Sequence, residues 1–433
     1  MPTFAKLRNP RLFRVAAASI LGGLLIGVAG GAFRYFLITF DTLRTELVIW
    51  AHRRADIGWL LPVVLVAACA WLARLLVVKL APTAEGSGVQ RVEAAFSGEV
   101  EAASAVVVPV KFFGGLLAMG GGLALGREGP TVQMGASFGG WVSRFLIPQE
   151  EDRRVVEAAS AGAGLAVAFN APIGGSIFVF EELTGSITPW LLVSTLAAAT
   201  VAVWIMRLML GNALSFSVAQ VSPTESWNKW PFLALGVLLG LGGALYNRVV
   251  MGLLRIADRL PGVGSLQRAA AIGGAVGLAA WFVPAMVGGG DNLTQAILSN
   301  QFEVGSLVTI FLVRFLLGPW SYAAGCPGGL FAPLLLLGAS SGALFAGAVN
   351  HFVPTANLSL VACAIVGMGT LFTASVRAPL TGIVLTVEMT GRADLTLGLL
   401  GASLIAMVVT MLLESEPIYE SLKRRMLAQT GAS

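Results

Sequence analysis

From Phe315 to Val376 the chain contains no Asp, Glu, Lys or Arg. A soluble domain cannot hide so long an uninterrupted apolar stretch. A bilayer calls for one, since a spanning helix takes roughly 20 apolar residues. The composition agrees: 56% of residues are hydrophobic and 12% are charged, about half the charged share of a soluble domain. Mean hydropathy is +0.82. These values predict an all-α polytopic membrane protein.

The N-terminal "MPTFAKLRNPRLFR" looks like the start of a signal peptide. However, the apolar run from Val15 to about Gly31 has no small-residue cleavage site before a polar start, so it reads as a retained first helix. Lys6, Arg8, Arg11 and Arg14 on one end and Lys423, Arg424 and Arg425 on the other predict cytoplasmic termini. Basic flanks of this kind account for the net charge of +5, and no nucleic-acid partner is expected. Trp59, Trp190 and Trp230 are candidate anchors at the lipid–water boundary. The three cysteines, Cys69, Cys326 and Cys363, lack metal or redox spacing. His52 and His351, the chain's two histidines, are placed in connecting loops. Neither a metal nor a cofactor is expected, and no nucleophile–histidine set suggests an enzyme. The chain ends soon after its last hydrophobic segment, which predicts no appended cytosolic domain.

The chain also repeats itself. "GREGPTVQMGAS" (Gly126 to Ser137) and "GLFAPLLLLGAS" (Gly329 to Ser340) share G-x3-P-x4-G-A-S. "APIGGSIFVFE" (Ala171 to Glu181) and "APLTGIVLTVE" (Ala378 to Glu388) share A-P-x2-G-x5-E. The offsets are 203 and 207 residues, and a looser pair, Gly86-Ser-Gly88 against Gly288-Gly-Gly290, falls at 202. The expected organisation is residues 1–14 as an N-terminal segment, 15–217 as a first membrane repeat, 218–231 as the connection, 232–422 as a second repeat and 423–433 as a tail. The residues alone leave open whether the repeats are inverted. Gly162, Gly164, Pro172, Gly174 and Gly175 interrupt the charge-free run from Ala158 to Phe180. Broken helices are expected there, and these are tolerated at membrane depth only where freed backbone groups meet protein or a water-filled path.

Three clusters put glycine or proline where helices should start: "GSGVQ" (Gly86 to Gln90), "GREGP" (Gly126 to Pro130) and "GGLFAP" (Gly328 to Pro333). A helix start carries unpaired N–H groups and a positive dipole end, so converging starts favour an anion without supplying a fixed cation. Within the second cluster, Arg127 and Glu128 put adjacent charges into apolar sequence. An ionisable group at that depth is a functional candidate. A salt bridge between the two is the structural alternative, although neighbours at a helix start point apart.

At these motifs the sequence resembles the CLC family of chloride channels and chloride/proton exchangers. "GSGVQRVE", "PVKFFGG", "GREGPTVQMG", "FNAPIGGSIFVFEEL", "GCPGGLFAP", "RAPLTGIVLTVEMT" and "EPIYESL" occur in the family's order, from about Leu21 to Leu422. The resemblance is to a bacterial inner-membrane member without cytosolic nucleotide-binding (CBS) modules. It implies two inverted-topology repeats of tilted and broken helices, and a homodimer in the lipid bilayer with one anion path per subunit. It also implies residue roles. Ser87 and Tyr419 would give hydroxyls to a central chloride, and the amides of Leu330 and Phe331 would line the same site. Gly86, Gly88, Gly126, Arg127, Gly129, Pro130, Gly329, Ala332 and Pro333 would complete the filter motifs. Glu128 would be the protonatable gate and Glu182 the internal proton-transfer group. Glu93 and Lys111 would form a buried compensating pair.

Repeat symmetry adds an independent point. Glu181 and Glu388 correspond, so a shared structural role such as capping is expected. Glu182 has no counterpart, since Met389 follows Glu388, and a residue that breaks the symmetry suits a directional task. Arg377 and Glu388 flank the second A-P segment and are read as structural. Gln90 stands where many relatives carry proline, which predicts a looser helix start there. Cys326 sits where alanine is common. The leading expectation is secondary active exchange of chloride for protons, and the alternative is a passive chloride channel of the same fold.

Overall fold

In a computed structural model, residues 10–54, 57–218, 230–259 and 264–430 are described. The basic Lys6 and Arg8, and most of the expected connection at 218–231, lie outside these residues. The first half contains α1 (Pro10–His52), α2 (Leu60–Leu80), α3 (Val89–Phe96), α4 (Val107–Gly115), α5 (Glu128–Leu146), α6 (Glu150–Phe169), α7 (Pro172–Phe178) and α8 (Pro189–Leu210). The second contains α9 (Trp230–Arg259), α10 (Ser265–Phe282), α11 (Asp291–Leu298), α12 (Val304–Tyr322), α13 (Phe331–Phe352), α14 (Leu360–Val376), α15 (Pro379–Thr390) and α16 (Thr396–Leu412). A last helix, α17 (Ile418–Thr430), has no counterpart among the described residues of the first half.

The two halves match element by element. Pro82–Ala84 and Pro284–Met286 form equivalent single turns. Gly86 and Gly88 have φ of 63° and 88°, and Gly288 and Gly290 have 76° and 98°. Contacts double likewise: α5 on α6 and α13 on α14, α1 on α8 and α9 on α16, with α2 against α10 and α7 against α15 joining the halves. Where the halves meet, Gly126 and Gly329 form an antiparallel bridge. The copies therefore run in opposite senses through the centre, which is the inverted arrangement.

Among the described residues, α1, α2, α8, α9, α12, α13 and α16 are long and apolar enough to cross a membrane. Leu400, Leu404 and Leu412 on α16 face outward, as lipid contact demands. Helix α1 runs on past Gly31 to His52. Its 43 residues make it about 65 Å long, roughly twice the ~30 Å hydrocarbon core, so it tilts steeply or projects. His52 ends α1 and stacks on Trp281 at 3.8 Å, and His351 lies in the last turn of α13; both close helices instead of sitting in loops.

Helices α6 and α14 form the interior, buried all round from Ala158 to Phe169 and from Val361 to Val376. Without a hydrophobic force between helices in lipid, they are held by close packing of small residues. A Cβ on Gly164 would lie 2.2 Å from the Thr131 carbonyl oxygen, and one on Gly367 would lie 2.2 Å from that of Gly338. Both central helices then break at equivalent points. Asn170 (φ 57°) and Arg377 (φ 66°) adopt the left-handed region, and Pro172 and Pro379 start the next helix two residues on. Proline disfavours helix in the residue before it and suits the first turn after it. Arg377 is held by its guanidinium donating to the Ser415 carbonyl at 2.5 Å, the structural role expected of it.

Candidate ion pathway

The three glycine–proline clusters converge. Gly88, Arg127 and Leu330 precede the first residues of α3, α5 and α13. The loops are stitched by backbone bonds. Gly126 N–H donates to the Gly329 carbonyl (2.8 Å), Gly329 N–H to the Gly126 carbonyl (2.7 Å), and Gly328 N–H to the Gly86 carbonyl (3.0 Å). The approach at Gly129 is so close that a Cβ there would lie 2.3 Å from Ser87 Oγ. Pro130 and Pro333 occupy the third position of their helices, where a missing N–H costs nothing. Helix α3 begins at Val89, and the Gln90 side chain in its first turn is buried.

Two fully buried hydroxyls, Ser87 Oγ and Tyr419 Oη, lie near one another, and neither meets hydrogen-bond geometry with a described protein group. Such groups are rare in a settled interior and call for a partner. The Tyr419 ring packs on Phe331 with centroids 5.5 Å apart, and Phe331 packs on Phe372 at 4.9 Å and Phe178 at 5.7 Å. A cluster of aromatic rings thus packs Tyr419 against the first residue of α13.

Glu128 is fully buried. Its Oε2 accepts the Ala332 N–H at 3.4 Å, at the start of α13, while Oε1 has no partner among the described residues. The carboxylate therefore lies across the head of the opposing helix. Arg127 turns elsewhere, donating to Asp291 Oδ2 at 2.6 Å and to the Ala168 carbonyl at 3.1 Å. The Arg127–Glu128 salt bridge is absent. A cavity of about 500 Å3 lined by Asp41, Arg44, Arg127, Glu128, Asp291 and Ala332 opens on one side. A second cavity of about 230 Å3, lined by Gly86, Gln90, Arg91, Tyr322 and Arg425, opens by the α3 start and α17. Gly86 and Gly88, which flank the buried Ser87, line this second cavity.

Glu182 sits in a π-helical turn, Val179–Leu183, directly after α7. Such turns are rare and frequent at functional sites. The side chain is partly buried, within electrostatic reach of Glu93, Glu181, Glu420 and Lys423. Lys423 on α17 gathers this cluster, meeting Glu93 at 2.6 Å, Glu420 at 3.1 Å and Glu99 at 3.7 Å. Partial burial pulls its ammonium down, but the bonds to Glu93 and Glu420 outweigh that and leave it above the ordinary lysine range.

The expected Glu93–Lys111 pair does not form. Lys111, fully buried, donates to the carbonyls of Gly86 (2.7 Å) and Ser87 (3.0 Å) instead. Arg314 does the same in the other half, donating to the Gly288 (2.7 Å) and Gly289 (2.9 Å) carbonyls. Each cation donates to backbone oxygens because the paired glycine loops turn their carbonyls toward it. The Arg314 clamp was not anticipated, yet Val110-Lys-Phe112 and Val313-Arg-Phe315 match at the repeat offset of 203. Tyr322, whose phenol oxygen accepts the Ser87 N–H at 3.3 Å, was also missed. Cys326 packs its thiol against the Ala70 carbonyl.

Residues 68–411 match the family described as voltage gated chloride channel. The H(+)/Cl(-) exchange transporter ClcA of Cronobacter sakazakii is 37% identical over 420 residues, covering 95% of this chain and 90% of that protein. The protein of the same name from Vibrio cholerae is 36% identical over 427 residues, covering 96% and 90%. The crystal structure of a slow cyanobacterial Cl-/H+ antiporter superposes with a TM-score of 0.91 at 33% identity, over 96% of this chain and 99% of that one. With its inverted helical repeats and converging helix starts, the chain belongs to the CLC family of voltage gated chloride channels.

Proposed function

We propose that this protein is a secondary active transporter that exchanges chloride for protons. The observation that carries the reading is the Glu128 carboxylate, buried and lying against the N–H of Ala332 between two opposed helix starts. A carboxylate at that point stands where an anion would be held, so it blocks the path while ionised. Protonation removes its charge and its advantage there, and the side chain swings out toward the 500 Å3 cavity. Proton uptake and anion passage are then two consequences of one movement.

The hydroxyls of Ser87 and Tyr419 and the amides of Leu330 and Phe331 hold the central chloride. Neutral O–H and N–H donors replace part of its hydration without a full counter-charge, which lets the ion leave again. Glu182 passes protons between the carboxylate cluster and the path. The Gln90 cavity is assigned to the cytosolic side, with both termini, in a bacterial inner membrane. The working unit is a homodimer with a separate path in each subunit.

The test uses purified protein in liposomes. With a chloride gradient imposed and external pH recorded, coupled exchange drives protons against their own gradient, and a protonophore abolishes the signal. Chloride flux without proton movement would make the protein a passive channel instead.

A further inference from the structure

We infer that Tyr322 is a neutral stopper at the cytosolic end of the path: its phenol oxygen holds the Ser87 N–H that an anion arriving through the Gln90 cavity would otherwise meet. The inference rests on the reading of that path given above.

One peptide plane fixes the direction of the Ser87 N–H. The Gly86 carbonyl and the Ser87 N–H belong to the same trans peptide and point in opposite directions. Lys111 holds the carbonyl at 2.7 Å, so the N–H is aimed away from the lysine, and Tyr322 Oη accepts it at 3.3 Å. Two features place the phenol. Tyr322 ends α12, which contains Pro319. At Gly86, with φ of 63°, a Cβ would come within 2.8 Å of Tyr322 Oη, so no other residue leaves the hydroxyl room. The Gln90 side chain reaches the same phenol, and both residues line the 230 Å3 cavity. Tyr322 is 4% exposed.

Chemistry sets how strongly this stopper competes. A hydrogen bond to an ionised acceptor is roughly twice as strong as one between neutral groups, so an anion displaces the phenol from the Ser87 amide, at the cost of the neutral bond. Glu128, carrying a full charge, competes far harder from the other side. The path therefore has a strong titratable block at one end and a weak neutral one at the other. The weak one lowers anion affinity from the cytosolic side by about fivefold, the equivalent of one ordinary hydrogen bond.

Tyr322→Phe keeps the ring and removes the oxygen. Chloride calorimetry on the full-length purified protein should show about fivefold tighter binding in Tyr322→Phe than in wild type. In oriented liposomes the chloride KM from the cytosolic face should fall, with the KM from the Glu128 face unchanged. Gln90→Leu, which leaves Tyr322 and Ser87 in place but frees the phenol, should shift affinity the same way by less. Affinity unchanged in Tyr322→Phe, or weakened because the phenol donates to the anion, would overturn this inference alone. No chloride binding by wild type or variant would overturn it together with the reading of the path.

Discussion

Glu181 and Glu388 cap each other's halves of the molecule. The Glu181 carboxylate accepts the N–H groups of Leu380 (3.0 Å) and Thr381 (2.7 Å) at the start of α15. Glu388, at the equivalent point, accepts those of Ile173 (3.2 Å) and Gly174 (2.6 Å) at the start of α7. Each A-P helix thus carries at its far end the carboxylate that satisfies the first turn of the other. Reciprocity of this kind requires a two-fold relation, and it ties the two inverted repeats together where α7 meets α15.

Removing either cap leaves two helix-start N–H groups without an ionised partner. Glu388→Ala and Glu181→Ala should each destabilise the protein by about 1–2 kcal/mol, read as a lower thermal transition in detergent. Because Glu181 is structural and its neighbour Glu182 is not bonded to α15, Glu181→Gln should leave the proton-to-chloride ratio unchanged. A coupling defect in Glu181→Gln equal to that of Glu182→Gln would remove the distinction drawn between these adjacent carboxylates.

The close packing of α13 on α14 makes a second expectation. A Cβ on Gly342 would sit 1.9 Å from the Cys363 carbonyl oxygen, a backbone atom that cannot step aside. Gly342→Ala should therefore force the helices apart and cost on the order of 1–3 kcal/mol. Gly252 on α9 has nothing within 4 Å of such a Cβ. Gly252→Ala should hold or raise stability, since alanine is the better helix former by about 1 kcal/mol. Equal behaviour of the two variants in a thermal unfolding assay would argue that the α13–α14 contact is looser than described.

Much of this arrangement was legible in the chain. The duplicated G-x3-P and A-P signatures placed the helix starts. What was not legible joins residues about 200 positions apart without a shared motif. Nothing in "TVE" says that Glu388 reaches Gly174. Tyr322 lies in a charge-free run where an aromatic reads as core. The length of α1 was hidden differently: Arg34, Asp41 and Arg44 end the apolar pattern while the helix continues. Arg44 is buried and donates to the Gly120 carbonyl at 3.3 Å, and Asp41 accepts from Asn292 at 3.0 Å. Polar residues there serve a protein-lined cavity, and periodicity alone cannot tell that from an exit into water.

The buried hydroxyls of Ser87 and Tyr419, without hydrogen-bond geometry to any of the described residues, yield a binding prediction. A hydrogen bond to a charged group contributes about 1.5–3 kcal/mol, so Ser87→Ala and Tyr419→Phe should each weaken chloride binding by roughly 10- to 100-fold. The two should combine sub-additively, because both donors act on one ion and its remaining hydration can readjust. Isothermal calorimetry with chloride measures this directly. Unchanged affinity in the double variant would mean that the buried hydroxyls are satisfied by something other than the transported anion.

Glu128 carries the sharpest prediction, because two readings of it diverge in a single variant. If the carboxylate is the gate, Glu128→Gln keeps the shape of the side chain, removes the charge and removes the proton site. Chloride flux through liposomes should persist and lose its dependence on pH, while chloride-driven proton movement should fall by about 100-fold or more, the usual scale for losing a positioned proton-transfer group. If instead Glu128 only holds α13 in place through Ala332, the amide would still offer an oxygen to that N–H. Coupling would then survive with normal pH dependence. Glu182→Gln should also abolish proton movement, yet chloride flux should keep its pH dependence there, since Glu128 still titrates.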